Sequence, residues 1–265
     1  MINYDQDRDV ERDRYNARAA GQLSGPTLGP DGAEGVEPLF RRPYLLFEEW
    51  VRQHATAGTA VLDVCCGDGI HSLTAARLGA RVTASDLAEN NLAVAQTRAS
   101  RAGLKIHPIT ANAECLPLPD QSFDLITCVG SLSYVDPDLF LGEVRRLLRP
   151  GGAFIFVDSL NHNPLYRLNR WRHYRRGLRS LSTLRRMPSL GTLQRIRRDF
   201  PDLEISYHGV FSFLAPLLRP LGPERAARWL DRTDLQIPWL QRYAFKIVGV
   251  GHKPPEQSRL FDVAR

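Results

Sequence analysis

At 265 residues with 43% hydrophobic side chains, the chain carries enough apolar material for one sizeable core. Its opening run, MINYDQDRDVERDRYNARAA, is charged throughout and lacks the apolar stretch of a cleavable signal. No apolar run approaches the ~18–20 residues that span a bilayer, so a soluble cytoplasmic protein is expected.

The net charge of +6 is almost wholly arginine, since only Lys105, Lys246 and Lys253 of the 35 basic residues are lysine, and eleven arginines fall between positions 167 and 198. Cys65, Cys66, Cys115 and Cys128 form no C-x-x-C pair, which argues against a disulfide scaffold and a zinc module. No metal is expected.

Taken in chain order, positions 6–20 read as a polar, mobile helix and 21–37 as a Gly- and Pro-rich loop, neither of them core. RPYLLFEEWVRQH follows, with apolar residues at helical spacing and Pro43 near its start. From Thr59 a regular alternation begins: strand AVLDV, helix HSLTAARLGA, strand RVTASD, helix AENNLAVAQTRASRAG, strand KIHPIT, strand FDLITCV, helix PDLFLGEVRRLL and strand AFIFVD. Short β-branched strands bounded by Gly, Asp or Pro and separated by helices predict a doubly wound, Rossmann-like α/β fold with helices on both faces of a mostly parallel sheet. TLQRIRRDF then reads as a helix, DLEISYHGV as a strand, PERAARWLDRTD as an amphipathic helix and YAFKIVGVGHK as the last strand.

The expected organisation is a helix and loop over the site at 1–40, a core at 41–158, a substrate lid with the remaining strands at 159–252, and a tail at 253–265. FSFLAPLLRPLGPERAARWL is the lid candidate, because Pro216 and Pro220 limit any continuous membrane-lying helix there.

Ligands of an open parallel sheet bind beyond the carboxyl ends of its strands, and VLDVCCGDGIHS lies at such an end. Gly67 and Gly69 permit a tight turn with close backbone approach. A dinucleotide fingerprint would need a third glycine, where Ser72 stands. Asp63 and Asp68 would also oppose a pyrophosphate. Carboxylates suit a cation and a ribose instead. Asp63 and Asp86 as ordinary turn or capping residues is the bland reading.

With LDVCCGDG, VTASDL, ANAECLPLPDQSFDLITCVGSLSYV and VRRLLRPGGAFIFVD in this order, the chain resembles the class I S-adenosylmethionine-dependent methyltransferases over positions 60–158. YAFKIVGVGHK is similar to that family's antiparallel last strand. The resemblance implies that Asp63, Gly67 and Gly69 cradle the methionine part of S-adenosyl-L-methionine, with Cys65 also a cofactor-binding residue, and that Asp86 accepts from both ribose hydroxyls. It places Leu87, Asn112, Ala113 and Glu114 beside the adenine, with Ser131 and Tyr15 completing the cofactor pocket. Two departures stand out. Cys65 replaces the first glycine, which is tolerable where the backbone does not need positive φ. Asn112 replaces the usual aspartate, and its carbonyl can still accept from an amine.

The family places its acceptor beyond the fourth and fifth strands, which implies Tyr134, Asp158 and His162 as catalytic candidates, His162 being the general base if the acceptor is a hydroxyl. A loop histidine that caps backbone groups is the equal alternative. Asn161, Asn163, Tyr166, Arg167 and Arg170 are the substrate candidates. Tyr44 could close over the cofactor.

The expected activity is methyl transfer to a hydroxyl oxygen of a sugar derivative or secondary metabolite. The alternatives are a membrane-associated lipid or quinone methyltransferase, and a non-catalytic nucleotide-binding module with an anionic partner. The arginine-rich segment suits an anionic small molecule, a lipid surface or a solvated face. The same segment, with Trp171 and Tyr174, is compatible with RNA, yet nucleic acid is not expected, since no recognisable RNA-binding module accompanies the domain. The absence of an Asn/Asp-Pro-Pro-aromatic run after the fourth strand disfavours adenine methylation, membrane contact is not favoured, and the sequence sets no oligomeric state.

Overall fold

The computed structural model describes residues 4–25, 28–177, 180–218, 220, 222–234 and 238–255. Arg219 and Leu221 of the expected lid, and 256–265 of the expected tail, lie outside the described residues.

Helices α1 (Tyr4–Leu23) and α2 (Arg42–His54) precede β1 (Ala60–Val64), α3 (Ser72–Arg77), β2 (Arg81–Asp86), α4 (Glu89–Arg101), β3 (His107–Thr110), β4 (Phe123–Val129), α5 (Pro137–Leu147) and β5 (Leu148–Ser159). Three helices follow, α6 (Pro164–Arg175), α7 (Leu181–Arg185) and α8 (Leu190–Asp199). Then come β6 (Glu204–His208), α9 (Ala215–Leu218), α10 (Pro223–Asp234) and β7 (Lys246–His252). The sheet order is β3-β2-β1-β4-β5-β7-β6, with β1 to β5 parallel and β7 antiparallel to both neighbours. The expected doubly wound fold and its antiparallel last strand are both present.

Local chemistry sets the helix ends. Asp136 accepts from the backbone N–H groups of Asp138 and Leu139 to start α5, where Pro137 supplies the preset φ. Ser189 and Thr192 close a reciprocal capping box on α8.

The apolar residues of the strands divide between two cores, as burial of a parallel sheet on both faces requires. On one face Phe140, Leu147, Phe154, Phe156, Ile196 and Phe200 join α5 and α8 to the sheet. On the other, Phe47, Trp50, Val51, Leu73, Ala95 and Ile155 join α2, α3 and α4. Among the described residues no helix is long and apolar enough to cross a membrane.

One element corrects the sequence expectation. α1 is not a loose appendage: it lies along α4, Ala19 is fully buried, and Asn16 accepts from the Asn90 backbone N–H at 3.0 Å. Its polar composition hid this, because the contacts it makes are themselves polar.

Candidate active site

The strand order reverses between β1 and β4, so their carboxyl ends open a crevice. The chain leaving β1 turns through Cys65, Gly67 and Gly69 with φ of +54°, +55° and +75°. At Gly69 a Cβ would lie 2.6 Å from that of Ala95, so glycine lets the turn press against α4. At Gly67 a Cβ would meet nothing within 4 Å. Cys65 thus occupies the left-handed conformation that glycine adopts freely, and the condition under which its replacement of glycine is costless does not hold.

Two carboxylates organise this turn. Asp63 is buried and accepts from Ser72 Oγ at 2.5 Å and Thr127 Oγ1 at 2.9 Å, and its burial pushes its pKa up to about 6. Asp86 accepts from the backbone N–H groups of Gly67 (2.9 Å) and Ala88 (2.8 Å), and burial raises its pKa too. Arg98, a buried residue of α4, donates to Gly29 O, Asp31 and Asp68, tying the N-terminal loop to the turn.

A cavity of about 340 Å³ extends from this turn. Its walls include Asp63, Cys65, Gly67, Asp86, Leu87, Asn112, Ala113 and Ser131, joined by Tyr15 and Tyr134 and by residues that sequence reasoning passed over: Arg8, Glu11, His71, Thr183 and Arg186. α1 roofs it. The Tyr15 hydroxyl donates to that of Tyr134 at 3.0 Å, Arg8 pairs with Glu114 at 2.7 Å, and Thr183 Oγ1 donates to Glu11 at 3.2 Å. The ring of His71 stacks on Tyr44 at 5.2 Å and 8°, with Phe47 edge-on. Its buried Nδ1 has no hydrogen-bond partner among the described residues, and burial lowers its pKa to about 4.

A profile described as a methyltransferase domain matches residues 61–152. That stretch, about a third of the chain, is similar to methyltransferase domains. The resemblance to class I methyltransferases read from the sequence is borne out.

Ubiquinone biosynthesis O-methyltransferases of Pseudomonas putida (strain GB-1) and Stutzerimonas stutzeri (strain A1501) are 40% and 39% identical over 119 residues, 43% of this chain. The match spans about half the length of those relatives, 50% of each. Among solved structures, the [4+2]-cyclase SpnF aligns with TM-score 0.61 at 19% identity over 94% of this chain and 96% of that one. Haemonchus contortus phosphoethanolamine N-methyltransferase 2, in complex with S-adenosyl-L-methionine, aligns with TM-score 0.62 at 17% identity over 97% of this chain and 61% of that one. The fold alone therefore does not name the chemistry.

Within residues 61–152 two expected cofactor residues stand behind the cavity rather than in its wall. Gly69 serves the packing on Ala95, and Glu114 holds Arg8 and accepts from the Asp136 N–H at 2.7 Å. Asn112 Oδ1 accepts from the Glu114 N–H at 3.0 Å, so one of its lone pairs is already engaged.

The residues expected from the segment after β5 need a larger correction. His162 is not in the cavity wall: its Nε2 accepts the Leu190 N–H at 3.0 Å, the backbone-capping role. Asp158 is buried outside the wall and accepts from the Leu132 and Ser159 N–H groups, positioning the chain after β4. Asn163 caps α6 and donates to Tyr243 O, and Arg170 Nη1 donates to Leu160 O and Asn161 Oδ1. Tyr166 meets Ser212 and packs on Phe245, while Arg167 is exposed. None of Asn161, Asn163, Tyr166, Arg167 or Arg170 lines the cavity: the side chains of Asn161, Asn163, Tyr166 and Arg170 secure α6 and its flanking chain, and Arg167 faces solvent. Tyr134 alone of the three catalytic candidates reaches it.

Proposed function

We propose that this chain is an S-adenosylmethionine-dependent methyltransferase that methylates a hydroxyl oxygen of a small organic acceptor. The observation that carries the reading is the donor set at the ends of β1 and β2. Two carboxylates, the buried Asp63 and the half-buried Asp86, face a turn whose Gly67 N–H is already engaged by Asp86. A pyrophosphate would find negative charge there and no free amide at Gly67. A sulfonium with an ammonium and a ribose fits, and the open space beside Gly67 leaves room for it.

Asp63 and Gly67 would hold the methionine part, Asp86 the ribose hydroxyls, and Leu87, Asn112 and Ala113 the adenine. When bound, the cofactor supplies an electrophilic methyl group for in-line displacement. α1 excludes water through the Arg8–Glu114 and Tyr15–Tyr134 contacts. His71 takes the place assigned from the sequence to His162. Its ring is in the cavity wall, fixed by stacking, and burial keeps it neutral and able to accept the hydroxyl proton on a ring nitrogen.

The relatives' name supports oxygen as the acceptor atom and favours the quinone-type acceptor over the sugar derivative. The aromatic and aliphatic wall of Val36, Tyr44, Val129 and Val135 suits an apolar molecule.

Calorimetric titration with S-adenosylmethionine, its demethylated product and NAD tests the cofactor half. Binding of the first two without NAD is expected, and binding of NAD alone refutes the reading. With an acceptor in hand, His71→Asn lowers turnover and leaves cofactor affinity unchanged. With S-adenosylmethionine saturating, so that protonation of Asp63 near pH 6 acts on cofactor affinity and not on kcat, the wild-type kcat stays level across neutral pH and falls only as the medium approaches pH 4, where the imidazole protonates. A rate limb near pH 6.5 would assign the proton transfer elsewhere.

A further inference from the structure

Positions 159–198 contain eleven arginines and no Asp or Glu at all. Within that stretch, α6 turns Leu165, Leu168 and Trp171 to solvent, with exposures of 50%, 46% and 48%. Their spacing of three residues sets them along one stripe of the helix. Arg167, Arg172, Arg175 and Arg176 are exposed around it, and the Arg175 guanidinium lies 5.4 Å from the Trp171 ring centroid.

The opposite side of α6 is anchored. Asn163 caps it, Arg170 is buried on Leu160 O and Asn161, and the Tyr166 ring packs 4.5 Å from that of Phe245. The outward stripe therefore belongs to a docked helix. A solvated basic face has no use for two leucines and a tryptophan in a row, and stacking on nucleic acid bases would engage the tryptophan but not the leucines.

We propose that the outer face of α6 docks on an anionic phospholipid bilayer, its apolar stripe entering the headgroup boundary and its arginines pairing with lipid phosphates. Charge complementarity selects the partner: an acid-free, arginine-flanked apolar stripe matches the interfacial surface of an anionic leaflet. The same acid-free stretch continues through α7 and supplies Thr183 and Arg186 to the cavity wall, which joins the docking face in sequence to the site. The inference stands apart from the methyl-transfer reading, because it rests on none of the cofactor residues.

Co-sedimentation of the full chain with vesicles of phosphatidylcholine alone, or of phosphatidylcholine mixed with phosphatidylglycerol, tests it. The wild type pellets with the anionic vesicles only, and added salt weakens the binding. Arg172→Gln with Arg175→Gln and Arg176→Gln lowers partitioning about a hundredfold. Leu165→Ser with Leu168→Ser and Trp171→Ser lowers it at least about tenfold. An unchanged thermal midpoint shows that both variants remain folded. The proposal is overturned if the wild type ignores anionic vesicles or if either triple variant partitions as the wild type does. It is overturned equally if the substitutions abolish binding to single-stranded RNA while vesicle binding persists.

Discussion

The two walls of the cavity are built on different principles. The wall at the ends of β1 and β2 is backbone held by backbone and buried carboxylate: parallel strands in fixed register, a turn with three positive φ angles, and Asp86 clamping two amides. The wall facing it comes from α1, the chain after β4, and α7, segments distant in sequence that meet through side chains such as Arg8–Glu114 and Tyr15–Tyr134. The first wall cannot move without disturbing the sheet. The second opens whenever a few polar contacts let go, as a cover over a bound ligand needs to do.

The sharpest test of the rigid wall is Gly69→Ala. The new Cβ would sit 2.6 Å from that of Ala95 in a backbone with φ of +75°. Left-handed strain and overpacking together cost about 2–5 kcal/mol, read as a lower urea midpoint. A near-wild-type midpoint would mean that the turn can drift from α4. Asp86→Ala comes next. It removes a half-buried carboxylate that two amides and Asn91 address, and weakens S-adenosylmethionine binding by about 1.5–3 kcal/mol, ten- to a hundredfold in calorimetry. Unchanged affinity would show that the clamp serves the fold alone.

The same division explains what could be read from the sequence. β1, β2 and β4 occupy the expected segments because a buried parallel strand is a short β-branched run bounded by turn residues, a local signal. The glycine turn and Asp86 are local as well. His71 lies within the same turn but carries no local signal, since its importance comes from Tyr44 and Phe47, which stand on α2. His162 failed for the converse reason: it follows β5 as an acceptor residue would, but the Leu190 N–H takes its ring nitrogen. Arg8 and Glu11 sit in a helix with no apolar stripe to mark its docking, and Thr183 lies 172 residues from its partner.

The adjustable wall yields to a smaller change. Glu114→Gln keeps an acceptor for the Asp136 N–H but loses the charge that holds Arg8, at a cost of about 1.5 kcal/mol. Amide exchange in α1 should quicken roughly tenfold while that of β1 and β2 stays unchanged. If both regions quicken together, the walls are one cooperative unit and the contrast between them is wrong.

Cys65 offers the finest probe, because it places a side chain where the rigid wall asks for glycine. At an ordinary helical or extended position alanine is more stable than glycine, since glycine loses more backbone freedom on folding. At φ of +54° the Cβ itself is the source of strain, about 1–2 kcal/mol. The usual order therefore inverts: Cys65→Gly should be more stable than Cys65→Ala by about 1 kcal/mol in urea unfolding, after glycine's entropic cost is subtracted. Both variants lose the thiol that packs against the core on that face of the sheet, so the comparison isolates the backbone. The alanine variant proving more stable would mean that the turn relaxes at this residue and that the wall is less rigid than its hydrogen bonds imply.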